Sequence, residues 1–124
     1  MSVKNLTATD FESIVIDNAI VLVDFWAPWC GPCRAFAPVF ERAAQDHPGI
    51  VFAKVNTQVE VELAATLNVR SIPTIMAFRE GILVYSQPGA MPKPALEDLI
   101  SQVEQLDMAV VRAKIAERKA AANA

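Results

Sequence analysis

From Ala19 to Trp26 the chain runs Ala-Ile-Val-Leu-Val-Asp-Phe-Trp, an apolar run broken once, by Asp24. Runs of this kind fit a central strand covered on both faces. A chain that contains one has to supply helices for both sides of a sheet. Directly after it, Ala27-Pro28-Trp29 turns the chain into Cys30-Gly31-Pro32-Cys33, which holds the only two cysteines among 124 residues. A second helix is expected from about Pro32 to Asp46, with Pro32 in a first turn where a missing amide costs little. Pro38 should kink that helix, and His47-Pro48-Gly49 should stop it.

The remaining elements follow from period and punctuation. Val3 to Leu6 reads as a first strand. Thr7 is expected to cap a helix that carries Phe11, Ile14 and Val15 on one face and ends at Asn18. Ile50 to Asn56 is a strand with Phe52, Lys54 and Asn56 on one parity. Val59 to Leu67 reads as a helix with Val59, Leu63 and Leu67 one turn apart. Pro73 to Arg79 and Ile82 to Gln87 form a hairpin about Glu80-Gly81. A loop at Pro88-Gly89-Ala90 leads to a long terminal helix from about Pro92, with Leu96, Leu99, Val103 and Leu106 on its buried face. The order predicts an α/β domain with parallel crossovers and an antiparallel hairpin at one edge.

Composition narrows the functional classes. A hydrophobic content of 53% supports a core without structural disulfides or a metal. Net charge is −3, with no nucleic-acid footprint. The longest unbroken apolar stretch, Ala19 to Val23, is too short to cross a bilayer. No secretory leader is expected in the first residues, and the expected location is the cytoplasm. In that compartment a lone close-spaced cysteine pair is catalytic or metal-binding rather than structural. Structural zinc takes about four ligands, and His47 is the only histidine the chain could add, so no metal is expected.

The pair suits thiol–disulfide exchange. Residues three apart on a helix lie roughly 5–6 Å apart at Cβ, and a disulfide needs Cα atoms about 4.4–6.8 Å apart. Cys30 sits at the helix mouth, where unpaired amides and the helix dipole favour a thiolate. Cys33 lies one turn inside and would resolve a mixed disulfide. Asp24 is the candidate base for Cys33 if it is buried; the alternative places it in solvent at the strand end. Gly31-Pro32 supplies no cation to favour the dithiol, which points to a reductant. Trp26 is expected in the core, Trp29 exposed beside the thiols, and Arg34 as a surface cation. An oxidase or isomerase of protein thiols, and a binding subunit with incidental thiols, are the rival readings.

Val23-Asp24-Phe25-Trp26-Ala27-Pro28-Trp29-Cys30-Gly31-Pro32-Cys33-Arg34 resembles the thioredoxin signature almost position for position. Phe52-Ala53-Lys54-Val55-Asn56, Ser71-Ile72-Pro73-Thr74 and Pro88-Gly89-Ala90 follow in the family's order, so the resemblance covers residues 3 to about 106. It implies the thioredoxin fold, a central mixed β-sheet flanked by helices, with an extended C-terminal helix. Residues 1–107 would form the domain and residues 108–124 a helical extension of it. It implies a protein-disulfide reductase in which Cys30 attacks and Cys33 resolves. Asp24 would be the buried acid and Lys54 its charged neighbour; Gly31, Pro32, Lys54 and Pro73 would tune the pair. Only about 5–6% of X–Pro bonds are cis, so a cis Pro73 rests on the resemblance alone. Trp29, Ile72, Pro73, Gly89 and Ala90 would form the docking surface, with Ile72 pairing its backbone to an extended substrate.

The resemblance further implies no bound cofactor and a monomer that serves disulfide-bearing proteins. A separate thioredoxin reductase would re-reduce the pair, drawing on NADPH; this chain has no Gly-rich dinucleotide fingerprint of its own. Gln58 stands where many members carry aspartate, and Pro88 where valine is more usual. The tail from Met108 onward carries Arg112, Lys114, Arg118 and Lys119 against Glu117. It reads either as a prolongation of the terminal helix that frays at Ala120 to Ala124, or as a helix that binds a partner or a second copy.

Overall fold

A computed structural model describes residues 3–124. Met1 and Ser2, the start of the expected domain, lie outside the described residues. The elements in chain order are β1 (Val3–Asn5), α1 (Phe11–Asp17), β2 (Ile20–Trp26), α2 (Gly31–Asp46), β3 (Val51–Asn56), α3 (Val61–Thr66), β4 (Thr74–Arg79), β5 (Ile82–Pro88), α4 (Lys93–Gln105) and α5 (Met108–Ala122). The five strands form one sheet in the order β1-β3-β2-β4-β5. β3 lies parallel to both β1 and β2, while β4 runs antiparallel to β2 and β5 antiparallel to β4. This is the mixed sheet flanked by helices that the element order implies.

Strand parity sorts the side chains into two cores. Leu22, Phe52, Ile75 and Ala77 meet Phe36 and Phe40 of α2 and Leu96, Ile100 and Val103 of α4. On the other face Val21, Val23, Phe25, Val55, Met76 and Phe78 meet Phe11 and Val15 of α1. Asp24 shares parity with Leu22, so its carboxyl points to the face covered by α2 and α4. Glu80 and Gly81 both adopt positive φ, +52° and +78°. This is the backbone of the tight turn that matches the twist of a two-residue hairpin.

Four local expectations are corrected. Thr7 does not cap α1. The Thr7 amide donates to the Asp10 carboxylate at 2.7 Å, which closes a turn, and the helix begins only at Phe11. α3 is shorter than the apolar spacing suggests; Val59 lies before it and is 69% exposed, while Leu63 and Leu67 pack against the sheet's core and Ala64 is buried. Trp26 is half-buried rather than core. The terminal segment is two helices, not one that frays. Arg79 Nη1 donates to the carbonyls of Val103 (2.6 Å), Glu104 (3.2 Å) and Leu106 (3.4 Å), which satisfies the end of α4. Asp107 then caps α5, accepting from the amides of Ala109 (3.0 Å) and Val110 (3.3 Å). α2, by contrast, runs unbroken through Pro38.

Candidate active site

The redox pair lies where β2 hands over to α2. Cys30 is the N-cap residue of α2 in an extended conformation, and Pro32 occupies the first turn. The sulfurs are joined as a disulfide, with Cα atoms 5.2 Å apart. The Cys33 amide donates to Cys30 Sγ at 3.2 Å, so one of the helix's unpaired donors is aimed at that sulfur. Cys30 is 5% exposed and Cys33 2%. Exposure barely separates them; the amide on Cys30 does.

The Ile72-Pro73 peptide bond is cis, and the Ile72 carbonyl lies 3.8 Å from Cys30 Sγ. Ile72 packs with Ala27, Cys30 and Cys33 in a small cluster of its own. The Gly89 amide donates to the Pro73 carbonyl at 2.7 Å. Gly89 does this at φ +106°, a conformation that side-chain-bearing residues rarely adopt. Trp29 stands 68% exposed next to Cys30, and Ala90 is exposed after Gly89. The structure therefore gathers Cys30, Cys33, Ile72, Pro73 and Gly89, with Trp29 on the rim.

Asp24 is 3% exposed, which decides the alternative that sequence left open. It pairs across the sheet with Lys54 on β3 and Ile75 on β4, and its Oδ1 has no hydrogen-bond partner among the described residues. Burial pushes its carboxyl up to about 7, and the positive charge of Lys54 pulls the other way. Lys54 Nζ lies 5.1 Å from the centre of the Trp26 ring. Asp24 makes no hydrogen bond to either sulfur.

Three contacts at the site had no sequence signal. Arg34, exposed as expected, also donates to the Pro28 carbonyl at 3.0 Å and ties the Trp29 loop to α2. Thr57 donates to the Trp26 carbonyl through both its amide (2.8 Å) and its hydroxyl (3.0 Å). Thr74 Oγ1 donates to the Ser71 carbonyl at 2.6 Å and braces the Pro73 loop. A hydroxyl within or beside a motif does not announce which carbonyl it will meet. His47 sits at the opposite end of α2 from the thiols, about 24 Å away along its 16 residues, where it bonds Glu97 at 2.7 Å. Among the described residues no cluster of three or more His, Cys, Asp or Glu could hold a metal ion. Among the described residues no helix is long and apolar enough to cross a membrane.

A family model described as Thioredoxin matches residues 2–102. The chain belongs to the thioredoxin family. It is 50% identical over 122 residues to a Streptomyces coelicolor protein provisionally named thioredoxin 2, covering 98% of this chain and 91% of that one. It is 42% identical over 102 residues to the thioredoxin of Haemophilus influenzae, covering 81% and 95%. Among solved structures, a mutant thioredoxin from Halobacterium salinarum superposes with a TM-score of 0.80 at 33% identity, covering 86% of this chain and 94% of that one. The thioredoxin of Plasmodium falciparum gives 0.75 at 36% identity, covering 80% and 97%. Thioredoxins are thiol–disulfide oxidoreductases, and this chain carries the redox-active cysteine pair at disulfide distance. α5 lies beyond the matched residues 2–102.

Proposed function

We propose that this thioredoxin reduces protein disulfides with Cys30 as the attacking sulfur. The Cys30 thiolate attacks one sulfur of a target disulfide, forms a mixed disulfide and expels the other target sulfur as a thiolate. Cys33, once deprotonated, attacks Cys30 Sγ, closes the Cys30–Cys33 disulfide and expels the second target thiolate. The target gains two electrons and the chain loses two. The observation that carries this assignment is the Cys33 amide directed at Cys30 Sγ from the first turn of a 16-residue helix. That donor and the helix dipole stabilise negative charge on Cys30 and offer nothing equivalent to Cys33.

Asp24 is the base for the second step. A carboxyl that titrates near 7 can take up the Cys33 proton at working pH, directly or through water. Lys54 tunes it, and Gly31 and Pro32 keep side-chain cations away from the sulfurs. Trp29, Ile72, Pro73, Gly89 and Ala90 form the surface on which an extended target segment lies, with the Ile72 backbone free to pair with it. The oxidised chain is returned to the dithiol by a thioredoxin reductase that draws on NADPH. It works as a monomer in the cytoplasm, passing electrons to disulfide-bearing proteins and maintaining cell redox balance.

Trapping tests the role assignment. Cys33→Ser should accumulate target proteins as mixed disulfides on residue 30, while Cys30→Ser accumulates few or none. Equal trapping by both variants would void it.

A further inference from the structure

α5 leaves a feature that disulfide exchange does not use. Between it and β5 runs a groove of about 240 Å³, with Leu83, Val84, Val111 and Ile115 along its apolar floor and Lys114 and Arg118 at its rim. β5 is an edge strand that pairs only with β4 among the described residues, and a β-bulge interrupts that pairing at Val84, within the groove. Leu83 on that edge is 46% exposed. α5 is held in place independently of the groove: Asp107 caps it, Met108 is buried beneath it, and Arg112 pairs with Glu80 of the hairpin turn. Lys114 and Arg118 have no ion-pair partner among the described residues, although the whole chain carries a net charge of −3.

We propose that this groove is a docking site for an extended segment of another protein that bears alternating acidic and apolar side chains. The outer edge of β5 can take such a segment as an added strand on either side of the Val84 bulge. Its apolar residues would cover the floor, and its carboxylates would meet the two unpaired cations. A second copy of this chain fits worse, because a two-fold contact centred on the groove would set Lys114 and Arg118 against their own counterparts. A lipid surface fits worse as well, because Val111 and Ile115 are recessed toward β5 rather than presented outward.

The site is remote from the thiols. Its β5 portion reaches Val84, and β5 continues four residues to Pro88, which pairs with Thr74 beside the cis-proline. That is about 13 Å of strand, so a docked segment leaves the face around Cys30 open.

The test uses the full-length oxidised protein and, as probe, a labelled seven-residue peptide of alternating glutamate and leucine. Expected are saturable anisotropy and amide shifts centred on Leu83, Val111 and Ile115, weakened by salt. The double variant Lys114→Glu/Arg118→Glu should bind about tenfold less tightly, whereas Lys119→Glu, outside the groove, should change affinity less than about threefold. Disulfide reduction by both variants should stay at the wild-type rate, which separates this site from the thiol chemistry. Absence of saturation, an equal loss with Lys119→Glu, or equal binding of a lysine–leucine peptide would overturn the proposal. So would self-association in sedimentation, or binding to phosphatidylglycerol vesicles in place of the peptide.

Discussion

Replacing Asp24 by asparagine should stabilise the oxidised protein relative to its acid-side difference, beginning above about pH 4, where the carboxyl of the unfolded chain ionises while that of the folded chain does not. The side chain is 3% exposed on the face covered by α2 and α4, and burial lifts it from its ordinary value of 3.8 to about 7. An acid whose pKa rises on folding holds its proton more tightly in the folded chain. Its contribution to stability is therefore fully present below 3.8 and is lost as pH climbs through about 7. The gap between the two values corresponds to about 4 kcal/mol at about 1.4 kcal/mol per pH unit. Asparagine keeps the shape and has no proton to lose, so the variant does not suffer this loss. The gap between variant and wild type should be flat below pH 4, widen between pH 4 and 7.5, and level off with the variant ahead by about 4 kcal/mol relative to the acid plateau. In guanidinium chloride, with a slope of about 4 kcal/mol per molar, the midpoint should move by about 1 M. Guanidinium titrations of both oxidised proteins from pH 3.5 to 9 would measure it. A difference that stays constant across that range, or one that narrows as pH rises, would refute the burial argument for Asp24.

Other substitutions test other parts of the structure. Gly89→Ala meets no atom within 4 Å, so its cost is backbone strain at φ +106° alone, about 1–2 kcal/mol. By loosening the amide bond to the Pro73 carbonyl it should raise KM for a protein disulfide while sparing a small aromatic disulfide. Asp107→Ala removes the acceptor for the amides of Ala109 and Val110 and should weaken α5 by about 1 kcal/mol. Hydrogen exchange should then speed up in α5 and not in β2. Phe40→Ala empties a 2% exposed site between Phe36 and Phe52, whose rings lie 5.6 and 5.2 Å away. It should cost about 3–5 kcal/mol in denaturant unfolding without changing which cysteine attacks.

Much of the architecture was legible in the chain itself, because the signals were local. The apolar run around Asp24 could only be a covered strand, and Glu80-Gly81 could only be a tight turn between two alternating segments. The Cys-Gly-Pro-Cys spacing requires one helical turn. The Thr7 turn is local but competitive: Thr7 and Asp10 both suit a cap, and the Asp10 carboxylate takes the Thr7 amide. Elsewhere the outcome depends on a side chain that reaches across the fold. The terminal helix looked continuous until Arg79, from the end of β4, took the last carbonyls of α4 and freed Asp107 to start a new helix.

Neighbours a few positions apart set the order of strands and helices, the chemistry of the redox pair and the helix mouth that holds Cys30. It takes the packing of distant elements to bury Asp24 and shift its carboxyl, to bring Ile72 and Gly89 to the disulfide's side of the sheet, and to leave a cation-bearing groove between α5 and β5. Burial and convergence depend on which elements cover a face, and no residue carries that information in its own segment.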